Sequence, residues 1–169
     1  MPKKPPVLAV SGYKDSGKTT LIECVLPLLA DRGLRVAVVK RDGHLFEADT
    51  PGADTWRFLR AGASGTAVFD REKYMLVKRE AILEDRLFEA FSDADLILLE
   101  GFKFSSWPKI EMLRGDAESV CDPATVLAFA VPEGVGAPER AGRPAISRDD
   151  CAAFADLICA YARGNGRED

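Results

Sequence analysis

Apolar and polar positions divide the chain into short, continuously apolar segments and segments in which apolar residues recur at helical spacing. A continuous apolar run is typical of a strand that is covered on both faces. The alternation therefore predicts an α/β protein with a mostly parallel β-sheet flanked by helices. The predicted strands are residues 7–10, 35–40, 66–69, 74–77, 95–100, 110–113 and 126–130. The predicted helices lie within residues 21–29, 54–60, 82–91 and 152–161.

The same pattern predicts where the domain and its helices begin and end. The expected division is a flexible N-terminus (1–6), a single domain (7–163) with a β-hairpin elaboration around 65–78, and a frayed tail (164–169). In the first helix, Pro27 is expected to introduce a kink or to end the regular part, and Gly33 is expected to cap the C-terminus. Ser147 or Asp149 is expected to cap the last helix.

The composition narrows the class of protein. The 169 residues are 47% hydrophobic and 30% charged, which is typical of a globular domain, and no apolar run reaches the ~18–20 residues of a membrane span. The net charge of −4 argues against a nucleic-acid partner. The apolar run near the N-terminus is too short for a signal-peptide core, so a cytoplasmic location is expected. The cysteines form no CxxC pair, so we expect free, largely buried thiols and no zinc site. They are Cys24, Cys121, Cys151 and Cys159.

The segment from Gly12 to Thr19 matches the phosphate-loop pattern GxxxxGK[ST] and lies between a predicted strand and a predicted helix, which predicts a P-loop NTPase-like fold. Glycines let the backbone turn tightly around an anion, and the following helix directs its N–H groups and positive dipole end at the same point. Lys18 supplies positive charge for the β- and γ-phosphates, and Thr19 supplies a hydroxyl for Mg²⁺. The candidate nucleotide-binding residues are Gly12, Lys14, Asp15, Ser16, Gly17, Lys18, Thr19 and Thr20.

A carboxylate at the end of a neighbouring strand is expected to complete the metal site. Glu100 follows four apolar residues and should emerge at the carboxyl edge of the sheet, whereas Asp95 lies at the opposite end of the same strand. Asp42 ends the second strand and is a second candidate for binding Mg²⁺ or positioning a water, although an ordinary loop acid explains it equally well. The candidate metal ligands are Thr19 and Glu100, and the candidate catalytic residues are Lys18, Asp42 and Glu100.

Basic and aromatic residues occur at the same predicted edge. Lys40, Arg41 and His44 follow the second strand, where they suit a second anionic group or are ordinary surface charge. Aromatic side chains after Glu100 suit a partner or a planar ligand if they are exposed, and the core if they are buried. They are Phe102, Phe104 and Trp107.

Several segments together resemble one family. They are residues 12–20, residues 39–44 (VKRDGH) and residues 95–103 (DLILLEGFK), with PKIE following at 108–111 and with 52–57 and 61–63 also fitting. This combination is similar to MobB, the family of molybdopterin-guanine dinucleotide biosynthesis adaptor proteins. The resemblance extends from about Val7 to Ala162.

The resemblance implies a protein that binds GTP with Mg²⁺, hydrolyses it weakly at most and forms a homodimer. It would assist the guanylyltransferase that attaches GMP to molybdopterin, and the pterin cofactor is itself a candidate ligand. The family's phosphate-loop roles map onto Gly12, Gly17, Lys18 and Thr19, and its acidic strand end maps onto Glu100. The chain departs from the family at residues 129–133 (FAVPE), where members often carry a Ser/Thr–Asp pair, and it has no NKxD motif. The preference for guanine therefore rests on the resemblance.

Two other functions stay open at this point. A small-molecule P-loop kinase would share the loop and bring arginines to the transferred phosphoryl group; Arg114, Arg140 and Arg143 are available but form no compact arginine-rich lid. A nucleotide-binding module without turnover would bind nucleotide and release no phosphate. Because only Asp42 and Glu100 are candidates to orient a water, GTP hydrolysis is expected to be slow.

Overall fold

The computed structural model describes residues 4–41, 46–115, 118–135 and 142–166. The strands are β1 (Val7–Gly12), β2 (Val36–Lys40), β3 (Gly65–Phe69), β4 (Tyr74–Lys78), β5 (Leu96–Glu100), β6 (Lys109–Met112), β7 (Val126–Val131) and β8 (Ala145–Ser147) in these ranges. The helices in the same ranges are α1 (Lys18–Asp31), α2 (Asp54–Arg60), α3 (Glu84–Glu89) and α4 (Cys151–Asn165), with a 3₁₀ turn at Pro123–Thr125.

The chain forms two compact units, one of residues 4–41 and 88–166 and one of residues 46–87. The first contains a six-stranded parallel sheet in the order β2-β5-β1-β6-β7-β8. The second contains the antiparallel pair β3-β4, in which Phe69 lies opposite Tyr74. The predicted parallel α/β fold and its β-hairpin are therefore confirmed, while the single-domain division at 7–163 stays a prediction.

The central strands of the parallel sheet are buried on both faces, as the continuous apolar runs predict. All six residues of β1 are buried, and the four leucine and isoleucine side chains of β5 have no exposed surface. Helices α1 and α4 pack on one face. The main core residues there are Leu8, Val10, Leu21, Val25, Leu29, Leu98, Phe154 and Ile158. Strand β1 is thus held between β5 and β6, and its carboxyl end opens into the phosphate loop.

Of the two outcomes predicted at Pro27, the end of the helix does not occur and the kink stays a prediction, whereas the cap predicted at Gly33 is present. Pro27 does not end the helix, which continues to Asp31. Pro27 and Glu23 are both exposed, so the Glu23 carbonyl that loses its helical partner faces water. At the C-terminus, Gly33 adopts φ +81°, its N–H bonds the Ala30 carbonyl, and the following N–H bonds the Leu29 carbonyl. This is the Schellman arrangement, which requires a left-handed residue.

The cap of α4 and the ends of the first unit also differ from the sequence-based predictions. Asp150, and neither Ser147 nor Asp149, caps α4, because its carboxylate accepts a hydrogen bond from the Ala153 N–H at 3.0 Å. Helix α4 continues to Asn165, into the tail that was expected to fray. At the other end, the carbonyl of Pro6 accepts a hydrogen bond from the sheet. No helix in the described ranges is long and apolar enough to cross a bilayer.

Two of the four cysteines are paired, so the prediction of four free thiols is wrong for them. Cys24 in α1 and Cys151 at the start of α4 form a disulfide with their Cα atoms 5.9 Å apart. The two are 127 residues apart in sequence, and only the packing of α1 against α4 brings them together. Cys121 and Cys159 are free and buried, as expected.

Candidate functional site

The phosphate loop connects the end of β1 to the first turn of α1. Gly12 adopts φ +138°, and a Cβ atom added there would lie 2.5 Å from the Met112 carbonyl oxygen. Gly17 adopts φ +93° at the N-cap of α1, and Asp15 is also left-handed at φ 58°. Both glycines of the motif are therefore required by the backbone, which curls over the N-terminus of α1.

Lys18 lies in the first turn of α1 and reaches back across the loop. Its ammonium donates a hydrogen bond to the Tyr13 carbonyl at 2.5 Å. The pKa of Lys18 is lowered, chiefly because burial removes water from the ammonium; Lys103 and Lys40 add repulsion, while Glu100 and Asp15 oppose the shift. An anion at this point would offset the repulsion from Lys103 and Lys40, and its attraction would compensate the Lys18 ammonium for the water that burial removes.

Thr19 and Glu100 meet at the carboxyl edge of the sheet, as predicted. The Thr19 hydroxyl donates to Glu100 Oε1 at 3.0 Å, and the Lys40 ammonium is 3.3 Å from the same oxygen. Register explains the meeting, because Glu100 lies beside Val10 of β1 on one side and beside Lys40 of β2 on the other. A hydroxyl and a carboxylate are hard oxygen donors of the kind Mg²⁺ prefers, with waters completing its coordination.

Ser16 supplies a further test of fit for a phosphate. Its side chain is 2% exposed, and its hydroxyl has no hydrogen-bond partner in the structure. A buried, unsatisfied hydroxyl costs roughly 1–3 kcal/mol, so such groups normally have a partner. A phosphate oxygen bound in the loop would supply one.

The remaining predicted residues are distributed as follows. Lys14, Asp15 and Thr20 are exposed around the loop. Asp95 lies at the opposite edge, where its carboxylate accepts the Arg35 backbone N–H at 2.8 Å. The candidates Asp42, His44 and Arg140 lie outside the described residues.

The aromatic residues after Glu100 divide between surface and interior. Phe104 is 84% exposed. Trp107 is half-buried and packs edge-on against Phe88, with ring centroids 5.8 Å apart. Both readings of this segment thus apply, each to a different side chain.

Two cations that sequence reasoning missed as site residues lie on the ring of Tyr13. The Lys103 ammonium is 5.7 Å from the ring centroid, and the Arg114 guanidinium carbon is 5.3 Å from it. Arg114 also donates a hydrogen bond to the Lys14 carbonyl and so braces the phosphate loop from the β6 side. The only sequence signal for Lys103 is its place three residues after Glu100 in the segment EGFK.

Two charged residues of β6 are fully buried, which the apolar pattern did not predict. Lys109 donates to the carbonyls of Phe102 at 3.5 Å, Lys103 at 3.4 Å and Ser105 at 2.6 Å. Glu111, on the same face of the strand, accepts three hydrogen bonds. Its donors are the Ser119 hydroxyl at 2.7 Å and the N–H groups of Val120 at 2.6 Å and Cys121 at 3.2 Å. The two residues therefore brace the segments that precede β6 and β7.

The chain is similar to several known proteins. A family described as molybdopterin guanine dinucleotide synthesis protein B (MobB) matches residues 7–131. The molybdopterin-guanine dinucleotide biosynthesis adapter protein of Haemophilus influenzae is 37% identical over 113 residues, which are 64% of this chain and 64% of that protein, slightly under two thirds of its length. The probable adapter protein of Bacillus subtilis is 32% identical over 165 residues, 94% of each. The crystal structure of Bacillus subtilis MobB superposes with a TM-score of 0.75 at 28% identity, covering 97% of this chain and 99% of that one.

Proposed function

This chain belongs to the MobB family, and from that premise we propose that it binds GTP with Mg²⁺ at the phosphate loop and acts as an adapter in molybdopterin guanine dinucleotide synthesis. One arrangement carries the proposal. Lys18, the Thr19–Glu100 pair and the unpartnered Ser16 hydroxyl converge at the N-terminus of α1. Mg²⁺ held there by Thr19 and Glu100 would neutralise charge on the phosphates.

The relatives' names describe a biosynthesis adapter, which supports a role beside an enzyme of that synthesis. We propose that the chain assists the guanylyltransferase that attaches GMP to molybdopterin. The preference for guanine over adenine is part of the same proposal. It rests on the family, because residues 129–133 lack the Ser/Thr–Asp pair that members often carry.

We propose that turnover is slow. The Glu100 oxygen that faces the loop is shared by the Thr19 hydroxyl and the Lys40 ammonium. This placement suits a metal ligand more than a residue that orients the attacking water. Fast hydrolysis requires a residue that orients the water. The partner would then recognise the GTP-bound state of the protein, and hydrolysis would matter less.

We propose that a second copy of the chain covers one face of the β3-β4 hairpin. Phe69 is 82% exposed, Tyr74 is 73% exposed and Leu76 is 59% exposed, and the pairing register places all three on the same face. An isolated two-stranded sheet is marginally stable in water. The same face of a second hairpin, related by a twofold axis, would bury these side chains in a homodimer.

Calorimetric titration tests the nucleotide site. Lys18→Ala is expected to weaken Mg²⁺-GTP binding roughly 100-fold, since a hydrogen bond to a charged group contributes about 1.5–3 kcal/mol. A melting curve should show that the fold survives. Lys73→Ala, which removes an exposed lysine from the β3-β4 turn, is the matched control and should bind like wild type.

Titration with ATP and an assay of phosphate release complete the experiment. Equal affinity for ATP and GTP would contradict the guanine preference. Release of phosphate at many turnovers per second would contradict slow hydrolysis. An intact Lys18→Ala protein with wild-type affinity would overturn the phosphate-loop assignment itself.

A further inference from the structure

The loop between β5 and β6 has a backbone that must be held in place. Gly101 adopts φ +99°, and Phe102, which is not a glycine, adopts φ 52°. A non-glycine residue in the left-handed region costs of order 1–3 kcal/mol and persists only where its surroundings fix it. Ser105 closes the turn, because its N–H and its hydroxyl both donate to the Phe102 carbonyl, at 3.0 Å and 2.8 Å.

The buried ammonium of Lys109 provides the fixing contact. It is fully buried and donates to the carbonyls of Phe102, Lys103 and Ser105, the last at 2.6 Å. A buried charge is tolerated only when it is paired and hydrogen-bonded. The three carbonyls supply the hydrogen bonds, and Glu111, two residues along the same face of β6, adds a weaker electrostatic attraction without a direct contact. The loop is therefore built around an internal cation.

This loop presents the side chain of Lys103 to the phosphate loop. The Lys103 ammonium lies 5.7 Å from the centroid of Tyr13 and 4.9 Å from that of Phe104. The carbonyl of Tyr13 holds the Lys18 ammonium, and Lys103 repels Lys18. An anion that contacts both ammonium groups would reduce the repulsion between them.

We infer that Lys103 is a second cation for the terminal phosphate of the bound nucleoside triphosphate, and that Lys109 is its positioning residue. The inference rests on the proposed function, because it specifies one phosphate of the nucleotide at that site. Lys103 stands three residues after Glu100, the acid that accepts the Thr19 hydroxyl at the candidate metal position, and its ammonium lies on the ring of Tyr13 in the phosphate loop. Metal and terminal phosphate lie together in phosphate-loop proteins, so this neighbourhood favours the terminal phosphate.

The other cation on Tyr13 is a weaker choice for this role. Arg114 reaches the ring from the end of β6, and its guanidinium already donates to the Lys14 carbonyl. Lys103 instead ends in an ammonium over two aromatic rings, from which it can turn toward an anion. The contact would raise affinity for a triphosphate more than affinity for a diphosphate.

Calorimetry with a non-hydrolysable GTP analogue and with GDP, both with Mg²⁺, tests the inference. Lys103→Met is expected to lower the affinity for the triphosphate analogue about tenfold and the affinity for GDP less than about twofold, since a partly exposed charge contributes modestly to binding. Lys103→Arg keeps the cation and should restore most of the triphosphate affinity. Lys73→Met, which removes an exposed lysine from the β3-β4 turn, should leave both affinities unchanged.

Lys109→Met tests the positioning role, with a melting curve to establish folding. The folded variant should repeat the selective loss of triphosphate affinity; where it does not fold, Lys103→Met decides the matter alone.

Equal losses of affinity for GDP and for the triphosphate analogue in Lys103→Met, or no loss, would overturn the inference. If Lys103→Met gives either of these results while wild type binds both nucleotides and Lys18→Ala loses both, this inference alone has failed. If wild type binds neither, the proposed function has failed with it.

Discussion

The parallel sheet and the β3-β4 hairpin use apolar residues in opposite ways. In the first unit, β1 has a hydrogen-bonded neighbour on each side and every one of its residues is buried. In the second unit, β3 pairs with β4 alone within the described residues, and Phe69 and Tyr74 remain largely exposed. The first unit thus buries its central apolar strands within its own fold. The second presents apolar surface that its own fold does not cover, and this is the surface that we propose a second copy of the chain to cover.

The largest effect on stability is expected from the core of the parallel sheet. Leu98 of β5 is fully buried between β1 and β2. Leu98→Ala should lower the free energy of unfolding by about 2–5 kcal/mol, because it removes buried methyl groups and leaves a cavity. Urea denaturation measures the change. A loss below 1 kcal/mol would mean that the sheet is less tightly packed than described, and the contrast with the hairpin would disappear.

The next effect is expected from the disulfide between α1 and α4. Its reduction should lower the free energy of unfolding by about 2–4 kcal/mol, since it closes a long loop in the unfolded chain. Denaturation with and without dithiothreitol measures this. The Cys24→Ser/Cys151→Ser double variant is the control, for which the reductant should have no effect.

Thiol titration provides an independent check. In unreduced native protein, Cys121 should not react with alkylating reagents, because burial and then the nearby Glu111 raise the pKa of its thiol to about 12. In denaturant without reductant, only Cys121 and Cys159 should react. Reaction of all four cysteines would contradict the disulfide.

A smaller effect is expected at the metal position, and it concerns affinity more than stability. Thr19→Ala and Glu100→Gln should each weaken Mg²⁺-dependent GTP binding about tenfold and leave Mg²⁺-free binding nearly unchanged, because each removes a hard oxygen donor. Titrations with Mg²⁺ and with a chelator measure the difference. Asp95→Asn, at the other end of the Glu100 strand, is the matched control. If Glu100→Gln retains the Mg²⁺ dependence, Asp42 becomes the better acidic candidate.

The smallest effect on stability is expected on the exposed face of the hairpin. Phe69→Ser with Leu76→Ser should change the free energy of unfolding of the monomer by less than about 0.5 kcal/mol, as surface substitutions do. The same variant should shift the protein from dimer to monomer in sedimentation equilibrium, and GTP affinity should not change. A variant that unfolds, or that self-associates like wild type, would contradict the assignment of this face.

The sequence predicted those parts of the fold in which one local pattern decides the outcome. β1 and β5 were located because a strand buried on both faces is apolar throughout, and the phosphate loop was located because its glycines and Lys18 follow a fixed spacing. β8 was missed because Ala145–Ser147 has three residues and only one large apolar side chain. A strand at the edge of a sheet has only one neighbouring strand, so it does not need a longer apolar run than this.

The missed parts of the site depend on contacts between distant segments. Lys109 is charged, and periodicity assigns charged residues to the surface; only the carbonyls of the loop after β5 make its burial tolerable. The pairing of Cys24 with Cys151 likewise requires knowledge of how α1 and α4 pack. Arg114 and Lys103 come from different loops, and no spacing rule places both on the ring of Tyr13.

The position of β1 has a consequence for synthesis of the chain on the ribosome. Val7 pairs with Ile97 and Ala9 with Lys109, so β1 lies between two strands that are made about 90 and 100 residues later. At roughly 5–20 residues per second, the nascent chain carries β1, which begins with four apolar residues, unpaired for on the order of 5–20 s before β5 emerges. Pairing over such sequence distances also gives a high contact order and slow folding. The strand that anchors the phosphate loop in the finished protein is therefore an exposed, aggregation-prone segment while the protein is being made.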